Sequence, residues 1–310
     1  MSVSTINTIH IDGPDTIVGL SELRLAYMSP TCITIGSSTR KAIEASQQVV
    51  EQVVRDERVI YGINTGFGQL AQTVVPAERL LDLQKNLVRS HSAGVGEPLD
   101  DAVVRLTLLL KVASLARGRS GVRPVIVDAL SRLLEREIYP VIPSKGSVGA
   151  SGDLAPLAHL AGVLIGEGQV RIQGEVVSAS EGLRAAELAP LELGPKEGLA
   201  LLNGTQVSTA LALGGLFETE DLLLAAVVAG AMAVEASKSS HTPFDERIHT
   251  ARGQRGQAIV AAAFRRFLTG SGINGSQINS GRVQDPYSVR CQPQVLGACL
   301  DLIRSSAEIL

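Results

Sequence analysis

The sequence predicts an all-α (mainly α) protein: a bundle of long helices with one small β hairpin and a loop-rich N-terminal region. Three observations carry this. Residues 205–237 run with no breaker except Gly214-Gly215 and Gly230, and residues 101–117 form a second long apolar stretch. Only Gln169–Val177 alternates apolar and polar residues about a glycine, as a hairpin does. Apolar residues make up 45% and mean hydropathy is +0.21, which excludes a disordered chain and calls for a dense interior.

In chain order, residues 6–12 read as a short strand ending at Gly13-Pro14, and a helix follows near 19–28. Ser37 or Ser38 can cap a helix over 39–55, with Ile43, Val49, Val50, Val53 and Val54 on one side. Gly62, Gly66 and Gly68 forbid a regular element around Tyr61. Pro76 opens a helix to about Ser90, and His91–Gly96 is a second glycine-broken loop. Asp100 and Asp101 start a helix to about 117, closed by Gly118. Pro124 opens the next, to about 137, before Tyr139-Pro140. After the glycine-rich stretch 146–152 come a helix over 154–166, the hairpin, and a helix to about 188 capped by Ser178 or Ser180. Lys196–Leu202 is a short helical piece ending at Asn203-Gly204, ahead of the long helix from 205. Residues 256–268 and 294–310 are helical, and the Gly-, Ser- and Asn-rich residues 270–284 form a mobile loop. The last helix reaches residue 310 uncapped, so the chain is expected to stop within a structure. The organisation expected is a helical and loop region over 1–115 and the first part of a helical bundle over 116–310.

Composition removes several function classes. A net charge of −3 makes no electrostatic case for nucleic acid or an anionic membrane. The longest apolar run, Leu222–Val234, is too short to span a bilayer and reads as a buried helix. Cys32, Cys291 and Cys299 are odd in number and far apart, which fits reduced thiols in a cytoplasm. No signal peptide is visible at the N-terminus. The five histidines form no HExxH, and no cysteine pair has ligand spacing, so no metal is expected. Broad apolar faces on 101–117 and 205–236 favour a homo-oligomer.

The stretch with chemical interest is Gly146-Ser147-Val148-Gly149-Ala150-Ser151-Gly152-Asp153. It lacks the Lys-Ser/Thr of a phosphate loop, and its second glycine sits one place early for a nucleophile elbow. Taken alone, it is best read as a helix start with Asp153 near the dipole. A sharper reading exists. In a tight turn the Gly152 nitrogen can attack the Ala150 carbonyl; loss of two waters, one carrying the Ser151 hydroxyl, then leaves an exocyclic methylidene. Glycine permits the approach, serine supplies the leaving group, and alanine leaves the carbonyl uncrowded. The product, 4-methylidene-imidazol-5-one (MIO), accepts an electron pair.

Gly146–His159 resembles the signature of the aromatic amino acid ammonia-lyase family, and most closely its members that act on histidine. Tyr61–Gly68, Ser90–Gly94, Leu202–Gln206 and Gln284–Gln294 resemble further family motifs, in family order. The likeness runs from about residue 15 to the end. It implies an MIO cofactor made autocatalytically from Ala150, Ser151 and Gly152, with no metal or nucleotide. It also implies elimination of ammonia from L-histidine to give trans-urocanate, a small-molecule amino acid substrate, and a homotetramer of longer chains whose site is assembled from several subunits.

The same resemblance assigns roles. Tyr61 is expected to be the base that takes the β-proton, and His91 to contact the substrate imidazole. Arg290 is expected to hold the carboxylate in bidentate fashion. Asn203 would bond the ring oxygen or the amino group, its plain alternative being a helix N-cap. Gln284 and Tyr287 would line the site. Asp153 either assists ring formation or only caps its helix. Ser90-His91 resembles the histidine enzymes, and also some tyrosine 2,3-aminomutases; tyrosine ammonia-lyase and an inactive fragment complete the alternatives. Relatives carry a further C-terminal part, so this short form is expected to turn over weakly or not at all.

Overall fold

The computed structural model describes residues 7–68, 72–276 and 283–310. The chain packs as two units, residues 1–214 and 215–310. The boundary expected at 115/116 falls at the end of one helix inside the first unit.

In the first unit, β1 (Asn7–Ile11), α1 (Leu20–Met28), β2 (Thr31–Ile35) and α2 (Ser37–Arg55) come first. A 3-10 turn (Ala77–Arg79), α3 (Leu80–His91), β3 (Val95–Pro98), α4 (Asp101–Ala116) and α5 (Pro124–Glu135) follow. Then come β4 (Ile138–Pro140), β5 (Pro143–Lys145), α6 (Leu154–Leu164), β6 (Gln169–Ile172), β7 (Glu175–Ser178), α7 (Ala179–Ala185) and α8 (Glu197–Leu202). The helix α9 (Gln206–Ala236) starts in the first unit and continues into the second. The mainly α expectation is met.

The core of the first unit is built on α4. Val103 through Leu109 are all buried, so this helix is enclosed on every side. Helix α5 buries one stripe at helical spacing, Ile126, Leu130, Leu133 and Leu134. Strands β1 and β2 pair in parallel, Asn7 with Thr31 through Ile11 with Ile35. Strands β6 and β7 form the expected hairpin, and β4 adds a third antiparallel strand. Strands β3 and β5 pair antiparallel, with Val95 opposite Lys145.

Some expectations change. Helix α2 is N-capped by Gly36 rather than Ser37 or Ser38, and Val49 faces solvent, 64% exposed. Pro76 precedes a 3-10 turn, and His91 is the last residue of α3 instead of a loop residue. Tyr139-Pro140 ends the helix by entering β4. Ser178 is the cap of α7, through a capping box with Glu181, and that helix closes at Ala185. Strand β2 was not anticipated, because five residues without alternating polarity carry little pattern.

The second unit contains the remainder of α9, a 3-10 turn (Thr242–Phe244), α10 (Glu246–Arg252), α11 (Arg255–Leu268), α12 (Gly272–Gly275), α13 (Tyr287–Arg290) and α14 (Gln292–Ile309). Val227, Val234, Phe244, Val260 and Phe264 form its core, with the two phenylalanine rings stacked at 4.9 Å. Residues 277–282 of the expected loop lie outside the described residues. Among the described residues no helix is long and apolar enough to cross a membrane.

One buried cation ties the first unit together. Arg105 of α4, 9% exposed, donates to the Tyr139 hydroxyl (2.9 Å) and to the carbonyls of Ala26 (3.1 Å) and Tyr27 (3.0 Å). Those carbonyls end α1, where the helix itself offers no partner. Arg105→Met is expected to destabilise the chain by about 3 kcal/mol, since it orphans buried acceptors. Urea unfolding would measure this; a loss of less than about 1 kcal/mol would contradict the account.

Candidate active site

The Ala150-Ser151-Gly152 turn lies between β5 and α6, with Ala150 and Ser151 exposed and Asp153 buried at 1% exposure. Asp153 holds the end of the turn. Its carboxylate accepts from the Ser147 hydroxyl (2.8 Å), the Ser208 amide (2.7 Å) and the Ser208 hydroxyl (2.5 Å). Its own amide donates to the Gly204 carbonyl at 2.7 Å. Asp153 therefore occupies the N-cap position of α6 without its side chain capping the helix, and the helix-cap reading of this residue is set aside. Gly152 adopts φ +98°, and a Cβ there would lie 2.4 Å from the Gly204 oxygen. Only glycine fits this turn.

The same packing gathers the other motifs of the first unit. Gly62, beside Tyr61, has φ +82° and leaves no room for a Cβ against the Leu199 side chain of α8. The Tyr61 ring is 55% exposed and meets the Phe67 ring edge-on at 5.8 Å. Buried Asn64 braces this loop by accepting from the Ile60 amide and donating to the Arg58 carbonyl. Helix α8 ends at Asn203, an exposed C-cap rather than an N-cap. Asn203 is thus one residue from the Gly204 carbonyl that receives the Asp153 amide.

His91 is fixed through Nδ1, 2.9 Å from the Leu87 carbonyl and 3.1 Å from the Ser90 hydroxyl. A carbonyl only accepts, so the neutral ring carries its proton on Nδ1 and presents Nε2 as an acceptor. The loop after His91 is tied to α6, because the Gly94 amide donates to His159 Nε2 at 3.0 Å. Burial holds His159 below the usual histidine value, so this acceptor stays neutral.

Two groups here escaped the sequence reading. His159 was one histidine in an apolar helix. Lys111 is 1% exposed on α4, and its Nζ makes a long 3.4 Å contact with the Ala200 carbonyl of α8. Burial lowers its pKa to about 7, opposed by the Asp153 charge. The signal was available: Lys111 is the only charge in the apolar run Leu106–Ala116.

The remaining candidates lie in the second unit. Arg290 stacks on Tyr287, its guanidinium carbon 4.0 Å from the ring centroid. The Gln284 amide oxygen, turned toward Arg290, accepts from Nη2 at 2.9 Å and Nη1 at 3.2 Å. Gln284 and Arg290 border a cavity of about 420 Å³ with Ser240, Thr242 and Asp285. Buried Asp285 accepts from the Ser240 amide at 2.8 Å. Among the described residues no group of three or more His, Cys, Asp or Glu side chains could hold a metal ion.

A family model described as aromatic amino acid lyase matches residues 20–310. The histidine ammonia-lyase of Paracidovorax citrulli is 56% identical over 293 residues, covering 94% of this chain and 57% of that protein. The solved histidine ammonia-lyase of Trypanosoma cruzi is 34% identical with a TM-score of 0.83, over 96% of this chain and 55% of that one. Phenylalanine aminomutase from Pantoea agglomerans is 32% identical with a TM-score of 0.88, over 97% and 61%. This chain thus spans little more than half the length of the relatives it matches. With the family model covering almost its whole length, the chain belongs to the aromatic amino acid lyase family.

Proposed function

We propose that this chain serves an ammonia-lyase that converts L-histidine to trans-urocanate through an electrophile made from Ala150, Ser151 and Gly152. The observation that carries the reading is the convergence of the Tyr61 loop, the 150–152 turn and Asn203 on α8, through Gly62 against Leu199 and Gly152 against Gly204. Gly152 lets the turn pack against Gly204 in an approach that no side chain would permit. The Gln206 side-chain oxygen, packed against Gly204, is buried with no partner in the open-chain form, so the surroundings offer an unused polar group. When formed, the ring would supply an electron-pair acceptor that natural side chains lack.

The chain's own residues then divide the work. Arg290, oriented by Gln284 and the face of Tyr287, holds the substrate carboxylate with a planar fork. His91 presents Nε2 to an imidazole N–H, which matches a histidine side chain. Tyr61 takes the β-proton, its ring exposed and its loop braced by Asn64. Asn203 offers its exposed amide to the amino group. A homo-oligomer would cover the exposed Leu222, Leu224 and Met232 of α9. The structural likeness to an aminomutase keeps one alternative, in which tyrosine is the substrate and ammonia returns at the β-carbon.

Intact-mass measurement is expected to show a deficit of two waters that Ser151→Ala abolishes. An unmodified mass in the wild-type chain would rule out the electrophile. Added L-histidine is expected to produce at most a weak urocanate absorbance band from this short form, whereas a β-amino acid from L-tyrosine would favour the aminomutase. Absence of both products from folded, dehydrated protein would favour the inactive fragment, and turnover as fast as that of a full-length relative would refute the expectation of weak activity in the short form.

Acid should loosen the His91 loop. Burial keeps His159 neutral below the ordinary value of 6.5, where the unfolded chain already takes up a proton. The unfolded state binds more protons in that window, so stability falls as pH drops through it. Protection of the Gly94 amide from hydrogen exchange is expected to fall between about pH 7 and pH 5, and His159→Gln to flatten that dependence. Equal pH dependence in the two proteins would show that His159 is not the sensor.

A further inference from the structure

Asp153 and the end of α8 meet at a group that none of the assigned roles uses. Lys111 projects from α4, on which the core of the first unit is built, and is 1% exposed. Its Nζ faces the Ala200 carbonyl, one of the last-turn acceptors of α8 that the helix cannot satisfy. The Asp153 carboxylate, also 1% exposed, acts electrostatically on the same ammonium. The Asp153 amide in turn holds Gly204, two residues beyond the α8 terminus, at 2.7 Å. The buried amine thus holds α8 a few residues before Gly204, which the Asp153 amide and Gly152 meet.

We infer that Lys111 is a positioning residue for ring closure: its Nζ anchors the α8 terminus at Ala200 and its charge offsets that of the buried Asp153 carboxylate, so that the 150–152 turn and Gly204 stay in contact. The inference rests on the proposed electrophile and deepens it. Two features argue for a role of the charge over a lysine that merely tolerates burial. A buried ammonium is costly without a counter-charge, and the buried Asp153 carboxylate opposes the lowering of its pKa. The three hydrogen bonds to Asp153 come from neutral donors, so they satisfy its oxygens without balancing its charge. The hydrogen bond of Lys111 runs to α8 and not to the turn, so its effect would pass through α8 and the charge of Asp153.

The test uses the full chain and two readouts, intact mass and hydrogen exchange at the Asp153 and Ser208 amides. Lys111→Met keeps the length of the side chain and removes its charge. It is expected to cut the fraction carrying the two-water deficit roughly tenfold, the scale of one coupled buried pair, and to lower protection at both amides. Lys111→Arg, which keeps the charge, is expected to restore part of each and also serves if the methionine variant does not fold. Asp153→Asn combined with Lys111→Met is expected to lose no more than Asp153→Asn alone. Wild-type mass and wild-type protection in Lys111→Met would overturn the inference, as would additive losses in the double variant. A wild-type chain without the deficit would instead sink the electrophile reading, while lowered protection in Lys111→Met would still uphold the Lys111–Asp153 coupling.

Discussion

The first unit depends on the buried carboxylate of Asp153. A carboxylate at 1% exposure is tenable only if its oxygens are bonded, and here three donors serve them. Those donors come from opposite sides: Ser147 before the turn and Ser208 in the first turn of α9. One side chain therefore closes the glycine-rich stretch on itself and staples it to a helix more than fifty residues away. The turn can then be exposed at Ala150 and Ser151 and still be held at its ends, by Asp153 on one side and by pairing of β5 with β3 on the other.

Helix α4 supplies the framework in which this works. Its apolar residues fill the core, and its two buried cations finish what two short helices cannot finish themselves. Arg105 takes the terminal carbonyls of α1, and Lys111 takes one of α8. Helix C-termini are short of donors, and a long basic side chain from an enclosed neighbour meets that need without admitting water. The helix that stabilises the first unit thereby also fixes the position of Asn203.

In the second unit the same economy appears around Arg290. Its guanidinium has a flat partner below, Tyr287, and an amide partner at its edge, Gln284. These contacts set the plane of the fork while leaving the group beside a cavity. Below it, α11 and α14 cross at Gly256 and Gly297, where neither position has space for a Cβ, so the helix that follows α13 sits on a rigid base.

Much of this was legible in the sequence. Long breaker-free apolar stretches determined the helical class, because an enclosed helix needs no polar face. The Gln169–Val177 alternation determined the hairpin, and the glycine spacing marked the turns that close approach would require. Residue types alone made Ala150-Ser151-Gly152 chemically interpretable. Tertiary structure decided the rest. It moved His91 from a loop to a helix end, Asn203 from an N-cap to a C-cap, and the Asp153 carboxylate from helix capping to a staple. It also gave Lys111 and His159 their surroundings. For Asp153, Lys111 and His159 the physical reason is the same: a polar side chain's role is set by which unsatisfied donor or acceptor lies within hydrogen-bond reach. Here those partners, Ser208, Ala200 and Gly94 among them, are brought close by packing over separations that no local pattern records.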